Sequence, residues 1–192
     1  MERSAKDQTV PSDTPPPTPH SPLFLIGPRG SGKTTVARLL GARLGWDWVD
    51  ADDVLEARYG KSVRAIFAEE GEAGFRDKES AVLADLCGRR CCVVSTGGGV
   101  VVREANRGLL RASGYVVWLT ADVDTLWRRL QADESTGERR PALTVGGRAE
   151  VEEVLRVRES WYRECAHLTV RTEGRAPEVV AEEILLAATR DE

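Results

Sequence analysis

The sequence predicts an α/β fold in which a parallel sheet is covered on both faces by helices. Three observations carry that prediction. Short apolar runs recur along the chain, as in "LFLI" at 23–26, "CCVVS" at 91–95 and "YVVWL" at 115–119. Between them lie segments with helical hydrophobic periodicity, and such alternation is what strand–helix–strand connections look like in sequence. The first run also leads straight into a glycine-rich turn around a lysine, "GPRGSGKT", which opens a helical pattern.

Taken in order, Leu23–Ile26 reads as the first strand. The helix that follows carries Val36, Leu39, Leu40 and Leu44 on one stripe and stops near Gly45. "WDWVD" (46–50) reads as a second strand with acidic residues at its exit. "SVRAIFAEEG" opens on Ser62 as an N-cap and closes at Gly71, and a further helix runs from about Glu72 to Leu86. "CCVVS" (91–95) is the third strand, followed at once by Gly97, Gly98 and Gly99. "YVVWL" (115–119) is the fourth and leads into a helix through Asp122–Gln131. The segment "ADESTGERRPALTVGG" (132–147) breaks periodicity and mixes charge, glycine and proline, which marks a mobile loop. A helix from about Arg148 to Glu164 and a short strand "HLTV" (167–170) come next. Pro177 fits the first turn of a last amphipathic helix.

The bulk composition narrows the function classes. A length of 192 residues suits one domain with a real core. A net charge of -4 gives no sign of a nucleic-acid partner. No apolar run approaches the roughly 20 residues a membrane span needs. Residues 1–22, "MERSAKDQTVPSDTPPPTPHSP", are rich in proline, serine and threonine, with too little apolar surface to order by burial. They read as a disordered tail before a domain spanning 23–192, with neither a secretory apolar core nor the acid-poor make-up of a transit peptide. Cys87, Cys91, Cys92 and Cys165 lack metal-ligand spacing and are expected as free thiols of a cytoplasmic protein.

Gly27 to Thr34 match the pattern G-x-x-x-x-G-K-[ST]. Glycines let the backbone curl so that N–H groups converge on phosphate oxygens, and the following helix adds its positive end. Lys33 is placed to reach β- and γ-phosphates, and the Thr34 hydroxyl to ligate Mg²⁺. An apolar strand before the loop and a helix after it supply the structural context the pattern requires, so this is a nucleotide site.

Open parallel sheets collect ligands at the carboxyl ends of their strands. That brings further groups toward the phosphates. Asp50 and Asp52 close the second strand and share a direction if the chain stays extended, one for a metal and one for an acceptor hydroxyl; helix N-capping by Asp52 or Asp53 is the plainer alternative. Arg76 in "GFRDKE" is either a surface ion pair or a two-point clamp on a substrate carboxylate. Three glycines after "VVST" let a small molecule approach the backbone, and Ser95 stands where many phosphate-loop proteins carry a metal-binding Asp. Arg139 and Arg140 in the mobile segment and Arg158 on the late helix are either plain solvated charges or functional groups, since an arginine on a closing lid can stabilise charge during phosphoryl transfer.

Together these motifs resemble the shikimate kinase family from about Leu23 to the C-terminus. "GPRGSGKTT", "DAD" (50–52), "GEAGFR" (71–76) and "STGGG" (95–99) occur in family order, with "RRPAL" (139–143) similar to its lid and "RESWYRECA" (158–166) similar to its late arginine-and-tyrosine helix. "GFR" together with "TGGG" is the specific part. The resemblance implies a P-loop kinase fold with a five-stranded sheet in the order 2-3-1-4-5 and a mobile lid at about 132–147. It implies phosphorylation of the shikimate 3-hydroxyl by ATP, with Mg²⁺ as cofactor and a monomeric protein. Gly30, Ser31, Gly32, Lys33, Thr34 and Thr35 would bind ATP, with Thr34 and, through water, Asp50 holding the metal. Asp52 would receive the attacking hydroxyl, Arg76 and Arg158 would clamp the carboxylate, and Gly97, Gly98 and Gly99 would line the ring. Arg140 would descend with the lid, Arg139 being the alternative in a lid of unusual length. "SWY" at 160–162 departs from the family's proline-leucine-tyrosine. A gluconate or nucleoside monophosphate kinase would not use "GFR" with "TGGG", and a silent relative would have lost Lys33, Asp52 or the lid arginine.

Overall fold

The structure, a computed structural model, describes residues 20–133 and 147–188. Its sheet has five strands, β1 (Leu23–Ile26), β2 (Asp47–Asp50), β3 (Cys92–Ser95), β4 (Tyr115–Thr120) and β5 (Leu168–Arg171). All pair in parallel, in the order β2-β3-β1-β4-β5 that the motifs imply. The helices are α1 (Lys33–Leu44), α2 (Ala51–Tyr59), α3 (Val63–Cys87), α4 (Glu104–Ser113), α5 (Val123–Ala132), α6 (Gly147–Cys165) and α7 (Pro177–Ala188).

The central strands have no polar face because each side of the sheet is covered. Successive side chains of a strand point to opposite faces. In β1, Phe24 and Ile26 therefore join Leu55, Ile66, Phe75 and Tyr162 in one core, beneath α2, α3 and α6. Leu23 and Leu25 join Val36 and Leu40 of α1 with Val180 and Ile184 of α7 in the other. Each fully buried Leu, Ile or Phe contributes about 1.5–3 kcal/mol, so this two-sided packing is what fixes the strand ends that carry the site.

Several local expectations change. After β2 the chain does not stay extended: it turns at once into α2, because the Asp50 side chain accepts the Asp52 N–H at 3.0 Å as an N-cap. Helix α4 fills the stretch between the glycine turn and β4, which the periodicity reading left unassigned; Glu104 in its first turn and Arg111 in its last were the available signals. The two helices read on either side of Gly71 are both present, as two segments of α3 that meet at a kink on that glycine, whose backbone is non-helical. Strand β3 begins at Cys92, and Cys91 before it takes a left-handed φ of 51°, so only one of the cysteine pair lies in the strand.

All four cysteines are free, and burial pushes the thiols of Cys87 and Cys92 up and that of Cys165 to about 12, which leaves them protonated and unreactive. Backbone N–H groups of Cys91 and Tyr115 donate to the carbonyls of His20 and Pro22, both at 3.0 Å, and tie the approach to β1 onto the neighbouring strands. The remainder of the tail, and most of the 132–147 lid with Arg139 and Arg140, lie outside the described residues. Among those residues no helix is long and apolar enough to cross a membrane.

The kink in α3 is testable. Gly71 sits at φ 69° and ψ -174°, a region that only glycine occupies readily, and a Cβ built there meets nothing within 4 Å. Gly71→Ala should therefore lose about 1–3 kcal/mol of stability through the backbone alone. Urea denaturation of both proteins measures this, and an unchanged midpoint would show that the kink is not glycine-dependent.

Candidate active site

The phosphate-binding loop joins the buried end of β1 to the N-terminus of α1. Gly27, Gly30 and Gly32 all take positive φ there, which lets the loop fold inward. The Lys33 ammonium is buried and turned back on the loop, donating to the carbonyls of Gly27 at 2.9 Å and Pro28 at 2.8 Å, with Ser31 Oγ at 3.5 Å. These oxygens occupy donors that phosphate oxygens would otherwise take. Outside the loop, Arg129 of α5 donates to the Gly30 carbonyl at 3.1 Å and to the Thr172 side chain and carbonyl at 3.0 and 2.9 Å, pinning the loop to the end of β5.

Next to the loop three oxygens meet. Asp50 Oδ2 accepts the Thr34 hydroxyl at 2.8 Å and the Ser95 hydroxyl at 3.0 Å, and the two hydroxyls lie 3.2 Å apart. The sheet register explains this, since Asp50 and Ser95 are paired residues at the carboxyl ends of β2 and β3. Thr96 continues from Ser95 and donates from both its N–H and its hydroxyl to the Leu25 carbonyl, at 3.1 and 2.9 Å, which locks the β3 exit against β1.

These groups open onto one cleft of about 430 Å³, lined by Gly30, Gly32, Lys33, Thr34 and Thr35 on the loop side and by Asp50, Asp52 and Gly98 opposite. Ser31 is buried behind it. Gly97 lines a small adjoining cavity together with Asp52 and Glu79. All the sequence-predicted residues within the described part thus gather around one site or its immediate wall.

The wall beyond the cleft is built on the glycine turn. Arg76 is buried, not on the surface: only 8% of it is exposed. Its Nη1 donates to Glu79 Oε2 at 2.6 Å, and its Nε and Nη2 donate to Glu72 Oε1 at 3.4 and 3.2 Å. A guanidinium has five N–H donors. These bonds use one on Nε, one on Nη1 and one on Nη2, and so leave one on each terminal nitrogen. The guanidinium lies against Gly99, where any Cβ would overlap it. Phe75, its neighbour, points into the core and stacks on Phe67 at 4.3 Å between ring centroids.

From α6, Arg158 donates to the Gly98 carbonyl at 3.2 Å, and the Tyr162 hydroxyl donates to the same oxygen. Burial pushes the Tyr162 phenol up to about 12, so it stays a neutral donor across the ordinary pH range. Replacement of the family's proline-leucine by "SW" before this tyrosine leaves both contacts in place. Two participants escaped the sequence reading. Glu79 is buried with Arg76, and burial pushes its carboxyl up while Arg76 pulls it down; its three-residue spacing from Arg76 was the visible signal. Arg129 carried no local signal, because its partners Gly30 and Thr172 are remote in sequence.

A family model described as shikimate kinase matches residues 29–189. The chain belongs to the shikimate kinase family. It is 45% identical over 167 residues to a shikimate kinase of Rhodopirellula baltica, covering 86% of this chain and 89% of that protein. A solved structure of shikimate kinase from Acinetobacter baumannii in complex with shikimate superposes with a TM-score of 0.84 at 35% identity, covering 90% of this chain and 94% of that one. A gluconokinase from Sinorhizobium meliloti, at 18% identity and a TM-score of 0.59 over 88% of this chain and 92% of that one, shares the fold alone. The chain is therefore a kinase, and its loop is the nucleotide site of a shikimate kinase.

The Gly99 contact has a measurable consequence. A Cβ at this position overlaps the Arg76 guanidinium, so Gly99→Ala must push it off its seat against the buried Glu79 pair and should lose some stability while keeping the fold. It should also raise the KM for the acceptor about tenfold or more, with ATP affinity unchanged. Steady-state kinetics with each substrate varied in turn would detect it, and an unaltered acceptor KM would show that the guanidinium position is immaterial.

Proposed function

We propose that this kinase transfers the γ-phosphoryl group of ATP to the 3-hydroxyl of shikimate, giving ADP and 3-phosphoshikimate, as a monomeric cytoplasmic enzyme. The bond that forms is between the hydroxyl oxygen and the γ-phosphorus; the bond that breaks is between that phosphorus and the bridging oxygen, which leaves with ADP. Phosphoryl transfer asks little covalent chemistry of a protein, so positioning and charge carry the catalysis.

Each residue then has a task. Loop N–H groups from Gly30 to Thr35 and the N-terminus of α1 receive the phosphates, and Lys33 exchanges its loop carbonyls for β- and γ-oxygens. The cluster of Thr34, Asp50 and Ser95 oxygens is the hard, all-oxygen donor set that suits Mg²⁺, a cation that keeps several of its waters. Thr34 would hold it directly and Asp50 through water, and when bound it neutralises charge on the β- and γ-phosphates. Asp52 orients the acceptor hydroxyl and takes its proton. Arg76 and Arg158 hold the shikimate carboxylate, and the glycine turn flanks the ring. Arg140, on the lid, supplies positive charge to the phosphoryl group in transit.

The observation that carries this reading is the Arg76 guanidinium, buried beside Gly99 with one N–H left on each terminal nitrogen. A planar carboxylate is the anion a guanidinium matches. An ADP-release assay with shikimate and gluconate offered in parallel tests the acceptor: turnover with shikimate is expected, and turnover with gluconate alone would overturn the assignment. Arg76→Lys keeps the charge but loses the two-point contact, so kcat/KM for shikimate should fall about tenfold to a hundredfold, with ATP affinity measured without shikimate within twofold of wild type. Asp52→Asn should still bind ATP, while kcat falls by roughly 10²–10⁴. Near-normal turnover in that variant would remove Asp52 from the role of base.

A further inference from the structure

One cation of the cleft has no task in this scheme. Arg29 is the third residue of the phosphate-binding loop, and it lines the same cleft as Lys33, Thr34 and Asp52. Its stem is laid against the glycine turn: a Cβ built on Gly98 would sit 3.4 Å from the Arg29 backbone nitrogen and 3.7 Å from its Cγ. Gly98 is the residue whose carbonyl receives Arg158 and Tyr162. Arg29 therefore stands where the nucleotide half of the site touches the acceptor half. The backbone beside it is held from outside by the Arg129 bond to the Gly30 carbonyl at 3.1 Å, so the side chain projects from a fixed base.

The electrostatic setting is that of a cation held among carboxylates. Burial pulls the Arg29 pKa below its ordinary value, and the charges of Asp133 and Glu150 oppose that pull. A guanidinium removed from water in a cleft is stabilised by whatever anion can reach it. Carboxylates supply the balance here, and phosphoryl oxygens carry more charge and suit the guanidinium fork equally well.

We propose that Arg29 is a further catalytic residue, a loop-borne arginine at the junction of the two halves of the cleft that turns its guanidinium to the oxygens of the phosphoryl group as it passes from ATP to the acceptor. This inference rests on the phosphoryl-transfer reading above. Charge spread over the equatorial oxygens of the transition state is what a positioned arginine stabilises, so its contribution belongs to kcat more than to ground-state binding of either substrate. No proton moves to or from Arg29; the bonds made and broken are those of the transfer itself.

The test compares wild type, Arg29→Met and Arg29→Lys in two measurements. Turnover with ATP and shikimate should fall on the order of a hundredfold or more in Arg29→Met, with both KM values within threefold, and Arg29→Lys should recover part of it. Binding of Mg·ADP is then titrated with and without fluoroaluminate, which imitates the phosphoryl group in transit. Fluoroaluminate should tighten ADP binding in wild type, and Arg29→Met should lose at least tenfold of that tightening while binding ADP alone within threefold. Full tightening in Arg29→Met would overturn the proposal. So would an equal loss of ADP binding with and without fluoroaluminate, because that is what a residue that merely shapes the loop produces. A wild type that ignores shikimate would instead overturn the acceptor assignment, and the fluoroaluminate comparison would still decide Arg29, since water can stand in for the acceptor.

Discussion

The carboxylate of Asp50 ties three parts of the chain together at the carboxyl edge of the sheet. One of its oxygens accepts the hydroxyls of Thr34 and Ser95, and the other caps α2 through the Asp52 N–H. Three segments are thereby referenced to one point: the start of α1, the end of β3 and the turn out of β2. Hydrogen bonds to a charged acceptor are worth about 1.5–3 kcal/mol, several times the thermal energy, so the relative positions of the phosphate loop, Ser95 and Asp52 are held firmly. The cap also decides where Asp52 lies. Without it the chain could run on extended; with it, Asp52 sits in the first turn of a helix and on the wall of the cleft.

A second fixed point is the Gly98 carbonyl. It receives Arg158 and Tyr162 from α6, while the neighbouring Gly99 is pressed against Arg76 from α3. The turn between β3 and α4 is thus gripped by two helices that approach from different sides of the chain's order. Tyr162 is wholly buried and stacks on Trp118 of β4 at 5.7 Å between centroids, which carries the grip back to the sheet. At Gly99 a Cβ would overlap the Arg76 guanidinium, which is a physical reason for glycine there, whereas at Gly98 a Cβ would make only ordinary contacts with Arg29 and Gly27.

Much of this was legible before any coordinates. The phosphate loop, the strands and the glycine turn follow from apolar runs and glycine spacing, which are local signals. The strand order is a property of the motifs taken together, and the β2-β3-β1-β4-β5 sheet agrees with it. Arg76 was legible as either a surface ion pair or a clamp, and the structure buries it beside the glycine turn. What stayed hidden was non-local or masked by a stronger pattern. Helix α2 starts inside "DADD", whose acidic spacing reads equally well as a strand exit, and only the Asp50 bond to the Asp52 N–H resolves it. Glu79 reads as one more surface acid until its burial beside Arg76 is seen. Arg129 acts on residues 99 and 43 positions away, a relation no periodicity can reveal.

The immobility of Arg76 bears on selectivity. A long side chain ordered only when its ligand arrives gives up about 0.5–1.5 kcal/mol of rotamer freedom at that moment. Arg76 gave this up during folding, when Glu72 and Glu79 fixed its plane and Gly99 fixed its depth. In the proposed reaction, its two remaining donors would act as a gauge of fixed length measured from Asp52. A molecule whose acidic group and hydroxyl match that length meets a finished surface. One that is an ångström longer or shorter cannot draw the arginine after it without breaking a buried ion pair, so such a molecule is refused by geometry before chemistry begins.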